Sequence, residues 1–367
     1  MLDIINLFNI SPKKHIFLFN LFLANTVMSQ NYYIWLSYLK LIQKRYFLLT
    51  IFCIVLMLIG VCSVFVGNYF LSVTKIFSVF FGKSDHISQV VILNIRLPRI
   101  VAAIVCGWAL SVAGLAIQSL LKNPLGSPST LGITHGAAFG ASISIVLFGS
   151  KILSTTFFAF LGAASATFII LALAQIKRLS PEAIILAGVA LSSLFASATT
   201  LVQYLATDTE LAKVVFWTFG DCARSNWNEI FILVGTTLFA TSYFIYISWD
   251  LNILSCGDEI AKGLGVGVTK IRMWGLLLAA FISALATAYH GIIAFVGLIA
   301  PHIAKRLVGE HYTILIPVSA VLGGIILLTA DTMSRIILGT GSLPVGIVTS
   351  FLGAPMFLYL LIKGDER

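Results

Sequence analysis

Apolar segments of about 18–25 residues recur along almost the whole of this 367-residue chain, and that recurrence limits the fold more than any other feature. A bilayer core about 30 Å thick takes roughly 20 helical residues to cross, and inside it each backbone N–H and C=O must find a partner within the protein. A helix meets that demand within a single segment. The composition agrees: 59% of residues are hydrophobic, 10% are charged and the mean hydropathy is +1.02. Soluble domains carry roughly 25% charged residues. The expected fold class is an all-α polytopic membrane protein.

Ten spans are expected, near residues 46–66, 98–120, 131–147, 153–176, 183–205, 230–248, 271–289, 291–304, 314–338 and 344–362. The eighth is short, and Pro301 near its end points to a half-helix or a kink. An even number of spans puts both termini on one side. With the termini inside, most basic residues lie inside, among them Lys40, Lys44, Arg45, Lys122, Lys177, Arg178, Lys262, Lys270, Arg272, Lys305 and Arg306. Lys75, Lys83, Arg96, Arg99, Lys151, Lys213, Arg224 and Arg335 lie outside. The bias is positive-inside, so both termini are expected in the cytoplasm. The formal charge of +9 is thereby assigned to topology: it forms no basic stripe with interleaved aromatics, and no nucleic-acid partner is expected.

Residues 1–45 form an extension before the ten-helix domain, which is expected over 46–363. Lys13 and Lys14 precede an apolar stretch too short to span and without a clean small-x-small cleavage site. The stretch reads as a cytoplasmic or interfacial helix, a vestigial signal, or a start set too early, with Met28 as the true one.

Catalytic and cofactor motifs fail on inspection. Gly82-Lys83-Ser84 ends like a phosphate loop, but Phe77 stands where its first glycine belongs. Gly263, Gly265 and Gly267 follow no strand, so they form no dinucleotide fingerprint. The five cysteines include no CxxC pair, and no metal site or cofactor is expected. The chain shows no means of hydrolysing ATP.

The remaining signals admit a structural reading beside a functional one. Gly132, Gly136 and Gly140 give GxxxGxxxG, one small-residue face for close helix approach, and Gly107 and Gly114 recur at seven in the second span. Ser180-Pro181-Glu182 reads as N-cap, N1 proline and an acid suited to the helix dipole, with a gating role as the alternative. Between spans six and seven, Ser255 and Asp258 resemble a capping box and Asp258 and Lys262 an i,i+4 pair, while Ile260, Ala261 and Leu264 offer an apolar edge. That helix lies on lipid or is presented to a cytoplasmic partner. Arg96 and Arg99 flank Pro98 at the start of span two, where cations oppose the macrodipole. Asp331 and Arg335 are spaced as an intrahelical ion pair. His290 and His302 are lone histidines, read first as packing residues.

Taken together, these segments resemble the FecCD family of ABC importer permeases. The resemblance rests on Arg96-Leu97-Pro98-Arg99, on Gly114 to Gln118, and on Asn123-Pro124-Leu125-Gly126-Ser127-Pro128 running into Leu131-Gly132. It continues through Leu186 to Leu191, residues 251–265, Phe295 to His302, Ala330-Asp331, Leu343-Pro344-Val345-Gly346 and Leu352 to Pro355. It implies a type II importer permease of ten helices in the cytoplasmic membrane. The implied partners are two ABC ATPase subunits, an extracytoplasmic substrate-binding protein, and a second copy or a homologous permease. The implied cargo is an iron complex, a ferric siderophore foremost, with haem, cobalamin and molybdate left open.

The resemblance also assigns residues. Leu251, Leu254, Gly257, Asp258, Glu259, Ala261, Leu264 and Gly265 fall on the ATPase-coupling segment. Arg96, Arg99 and Arg335 fall where relatives meet acidic residues of the binding protein, and Ser180, Pro181 and Glu182 fall at the cytoplasmic gate. Three positions depart from the family pattern: Lys305 in place of an arginine, His290 in place of a small residue, and Asp221 after Trp217-Thr218-Phe219-Gly220. The rival class is a secondary transporter or channel, which would carry ionisable groups in mid-span; almost none occur here.

Overall fold

A computed structural model describes residues 12–67, 69–82, 84–149, 152–176, 180–337 and 342–362. The chain divides into two units, Met1–Thr50 and Ile51–Arg367. In the first, the described residues are helical from Pro12 onward. The expected start of the extension and the basic residues Lys83, Lys151, Lys177, Arg178, Lys363 and Arg367 lie outside the described residues.

Among the described residues there is no strand. The helices are α1 Pro12–Phe65, α2 Val73–Phe80, α3 His86–Gln89, a π segment Val90–Arg96, α4 Leu97–Leu121, α5 Ile133–Leu147, α6 Ile152–Ile176 and α7 Pro181–Leu205. They continue with α8 Asp208–Thr218, a 3₁₀ turn Cys222–Arg224, α9 Trp227–Tyr246, α10 Ser248–Ser255, α11 Asp258–Gly263 and α12 Val268–His290. The last three are α13 Val296–Val308, α14 Tyr312–Ile336 and α15 Val345–Ile362. Each expected span coincides with a helix. Among the described residues, seven helices are long and apolar enough to cross a membrane. The other three, α5, α13 and α15, are shorter, with 15, 13 and 18 residues.

The second span differs most from expectation. It begins at His86, and α3, the π segment and α4 run on as one helical path to Leu121. Pro98 has no N–H to donate, and the widened π turn just before it lets the helix continue past that gap. This path is the post of the bundle. In its most apolar window 83% of residues are buried, and α12, α13 and α14 pack around it.

Glycines set how closely those neighbours approach. A Cβ on Gly107 would overlap the Gly323 carbonyl of α14, and one on Gly114 would overlap the Gly297 carbonyl of α13. In the third span the glycines divide their work. Gly136 and Gly140 seat α5 against Gly162 and Phe158 of α6. Gly132 lies before the helix, as its left-handed N-cap (φ 70°) facing Gly188 and Ser192 of α7, so the three do not form one face.

The eighth span is short, as expected, but starts and ends later than residues 291–304. Residues 291–295 are non-helical, and α13 then runs through Pro301 to Val308. The carbonyl that Pro301 leaves without its usual donor belongs to Gly297, which is tucked against Gly114. Irregular backbone is tolerated at membrane depth where protein covers it; here 291–295 and 127–130 face each other across a cavity of about 240 Å³.

The helices α2 and α8 were not anticipated. The amphipathic α8 starts with a complete capping box, in which Thr207 accepts from the Glu210 backbone and the Glu210 carboxylate accepts from the Thr207 backbone. The T-x-x-E spacing was there to be read in the sequence, but only 11 residues follow it, too few to register as a span.

Candidate functional site

The start and end of α4, 25 residues and roughly 37 Å apart, define two charged sites along the post. At the first, Arg99 donates from Nε to Asp331 Oδ1 (2.8 Å) and from Nη2 to Ser334 (3.2 Å), and Asp221 lies 3.7 Å from its guanidinium. Asp331 is fully buried, and its Oδ2 lies 3.3 Å from Arg335 Nε as an ion pair without a hydrogen bond, at the i,i+4 spacing, while Arg335 Nε donates to the Asp331 backbone carbonyl. Arg335 Nη1 donates to the Ser63 and Val66 carbonyls at the end of α1, and Arg96 donates to the Val64 and Tyr69 carbonyls. Gly67 leaves the space for Arg96, because a Cβ there would press on its guanidinium. Buried charges persist only when paired and hydrogen-bonded; the three guanidiniums are hydrogen-bonded, and Asp331 is bonded through Oδ1 and ion-paired at Oδ2.

The sequence led us to expect an exposed cationic surface here. The structure differs: Arg96, Arg99 and Arg335 are 4%, 7% and 7% exposed, each turned inward onto α1, α14 or the loop before α2. The expected dipole penalty also falls away, because the helical path starts ten residues before Arg96 and the arginines do not sit at its N-terminus. The three guanidiniums line a cavity of about 220 Å³ together with Tyr69, Ile95 and Ser342.

Backbone bonds fix Asp221 beside this cluster. Gly220 N–H donates to the Ile292 carbonyl, Asp221 N–H to the His290 carbonyl, and Gly346 N–H to the Gly220 carbonyl. His290, fully buried, contacts Ser225 Oγ at 2.9 Å and the Ala286 carbonyl at 3.1 Å, as a packing histidine does. Asp221 and His290, two of the three departures from the family pattern, thus lie in one web of loops. Arg224 closes α8 by donating to the Phe216, Trp217 and Phe219 carbonyls.

At the other end of the post, α10 and α11 form the segment between spans six and seven. Leu251 and Leu254 of α10 are buried, anchoring the segment. Gly257 (φ 127°) breaks the helix in a conformation closed to other residues, so α11 starts at Asp258 without a side-chain cap. The expected capping box does not form: Ser255 Oγ donates back to the Asn252 carbonyl. The expected Asp258–Lys262 pair is also replaced. Lys262 binds Glu259 at 2.9 Å, while Asp258 turns inward to Lys122 Nζ (2.5 Å) and Arg272 Nη2 (2.9 Å). Burial alone would raise the Asp258 carboxyl, but the hydrogen bonds from Lys122 and Arg272 outweigh it and hold it below its ordinary 3.8. Ala261 faces in with Asp258. Glu259, Ile260, Lys262 and Leu264 face out, Ile260 and Leu264 being 54% and 66% exposed.

Ser180, Pro181 and Glu182 take the cap positions that their order suggests. Ser180 Oγ accepts from Ala183 N–H, Pro181 is at N1, and Glu182 lies in the first turn of α7. Among the described residues, no three His, Cys, Asp or Glu side chains gather as a metal site.

Comparisons with known proteins fit a two-ended bundle of this kind. The model of the FecCD transport family matches residues 54–363. An ABC transporter permease protein of Methanocaldococcus jannaschii is 46% identical over 337 residues, which is 89% of this chain and 97% of that protein. The permease protein of an iron(3+)-hydroxamate import system of Bacillus subtilis is 36% identical over 299 residues, 79% of this chain and 89% of that one. A solved structure described as an inward-facing metal-chelate type ABC transporter aligns with a TM-score of 0.78 at 32% identity, covering 86% of this chain and 99% of its own. This chain therefore belongs to the FecCD transport family and is a multi-pass membrane permease.

Proposed function

We propose that this permease carries a metal chelate, an iron(III) complex foremost, into the cytoplasm as one half of a dimeric ATP-driven importer. Its pair is a second copy or a homologous permease. One observation carries the reading: α11 shows Glu259, Ile260 and Leu264 outward at one end of the bundle while Asp258 and Ala261 hold it from within. A short surface helix so held suits a docking element for a separate ATPase. It answers the absence of any nucleotide motif in this chain. That end is cytoplasmic in this reading, and Ser180 to Glu182 border the gate.

The substrate-binding protein docks at the arginine end. The cavity beside Arg96, Arg99 and Arg335 suits an acidic side chain of that partner, because among the described residues Arg96 meets carbonyl acceptors and no carboxylate, and the cluster carries three cations against two carboxylates. The chemistry of the importer lies in its partners; this chain contributes a path and its gating. Binding and hydrolysis of ATP drive it by favouring one arrangement of the ATPase pair.

Uptake tests the cargo. Membrane vesicles holding the permease, its ATPase and its binding protein should accumulate ⁵⁵Fe(III)-hydroxamate only when ATP is inside. Accumulation driven by an ion gradient without ATP would return the protein to the secondary transporters.

A further inference from the structure

We propose that Asp258 is a positioning residue that latches the ATPase-facing helix α11 to the ends of α4 and α12, so that movement of α11 is passed to the post of the bundle. The inference rests on the ATPase reading of α11 given above. Asp258 is the point where three elements meet. Its Oδ1 lies 2.5 Å from Lys122 Nζ, and Arg272 Nη2 reaches both carboxylate oxygens at 3.1 and 2.9 Å. The same Arg272 donates from Nε to the Leu120 carbonyl (2.9 Å), one of the orphan acceptors at the C-terminus of α4. One guanidinium thus joins α12, the end of α4 and the first residue of α11.

Two further features mark this as a built junction. Lys122 is the C-cap of α4 and takes the left-handed conformation (φ 49°), which a residue with a Cβ adopts at a cost. That conformation ends the helix where the ammonium can reach Asp258. Arg272 is 3% exposed, so its charge depends on Asp258 as carboxylate partner in a place water scarcely reaches. The neighbouring Glu259–Lys262 pair differs in kind: it is exposed, lies within α11 and bridges nothing.

The latch gives a route between the two ends. A shift of α11 pulls on Lys122 and Arg272, and the helical path from His86 to Leu121 carries the shift to Arg96 and Arg99 without an intervening loop. Phe70, 93% exposed near the arginine end, is a place to read it. The test uses the permease–ATPase complex in proteoliposomes, with Cys53, Cys62 and Cys256 changed to Ser and Phe70→Cys labelled by a fluorescent maleimide with and without Mg-ATP. In the parent complex, nucleotide should change the labelling rate. Asp258→Asn should retain ATPase co-purification yet shrink that nucleotide effect about tenfold, and Asp258→Glu should restore most of it. Asp208→Asn, at the exposed start of α8, should leave it unchanged.

An Asp258→Asn complex that responds like the parent overturns the latch, and so does an equal loss in Asp208→Asn. A parent complex that holds its ATPase but shows no nucleotide effect at Phe70→Cys overturns the route through α4. A parent permease that binds no ATPase overturns the functional reading itself, which separates that failure from the others.

Discussion

The two ends of α4 solve the problem of charge in a membrane protein in opposite ways. At the arginine end, three cations and two carboxylates sit inside the protein, with Asp331 shared between Arg99 and Arg335 and backbone carbonyls taking most of the remaining donors. At the Asp258 end, a single partly exposed carboxylate holds two cations, and α11, the helix it fastens, is six residues long and lies between Gly257 and Gly265, both of positive φ. The first arrangement has many redundant bonds, so that end behaves as a staple. The second concentrates its bonds on one residue, so it is an end that one change can release.

The largest expected effect lies at the staple. Asp331→Asn removes the carboxylate shared by two buried guanidiniums, and breaking such a buried pair costs about 3–5 kcal/mol. Thermal unfolding in detergent should show a large loss of folded protein. A variant as stable as the parent would mean that these charges are not held as a buried network.

The link between the ends comes next. Gly114→Val places a side chain against the Gly297 backbone, which cannot rotate away, and overpacking of this kind costs about 1–3 kcal/mol. The bundle should lose stability, with the Phe70→Cys response to nucleotide weakened as well. Retention of both would show that α4 and α13 do not need their close contact.

Smaller still is the effect of Ser180→Ala, which deletes the acceptor for Ala183 N–H at the start of α7 and should cost about 1 kcal/mol. The same measurement should register it as a minor shift; a loss comparable with that of Asp331→Asn would point to a wider role for this loop.

The mildest test is acid. The Asp258 carboxyl titrates below its ordinary 3.8, so its contribution is complete above that value and is lost only as pH falls further, through the lowered value. Lys122 and Arg272 face it throughout, and Glu259 is engaged by Lys262. The nucleotide response should therefore be level from neutrality down to pH 5, provided the ATPase itself stays active. A midpoint above pH 5 would contradict the latch geometry.

Most of the fold could be read from the sequence because hydropathy alone marks a span, whatever its neighbours. The α4–α13 approach was half legible: the glycines were evident, but not that Gly114 would seat the very carbonyl freed by Pro301. The charged residues were legible only locally. Asp331 and Arg335 are four apart, and their pair formed; Asp258 and Lys262 are also four apart, and theirs did not, because Lys122 and Arg272 come in from 136 and 14 residues away. The arginines misled for the same reason. Their acceptors lie at the end of α1 and on α14, and no local pattern announces a carbonyl that is free to accept.

The central claim is that the Asp258 end, and not the arginine end, receives the ATPase. Leu264→Cys and Phe70→Cys, each alone in a background where Cys53, Cys62 and Cys256 are serine, can be exposed to a short bifunctional thiol–amine cross-linker in the assembled complex. Leu264→Cys should give a permease–ATPase adduct, and Phe70→Cys should give none. An adduct at Phe70→Cys, or none at Leu264→Cys in a complex that still hydrolyses ATP, would contradict the account.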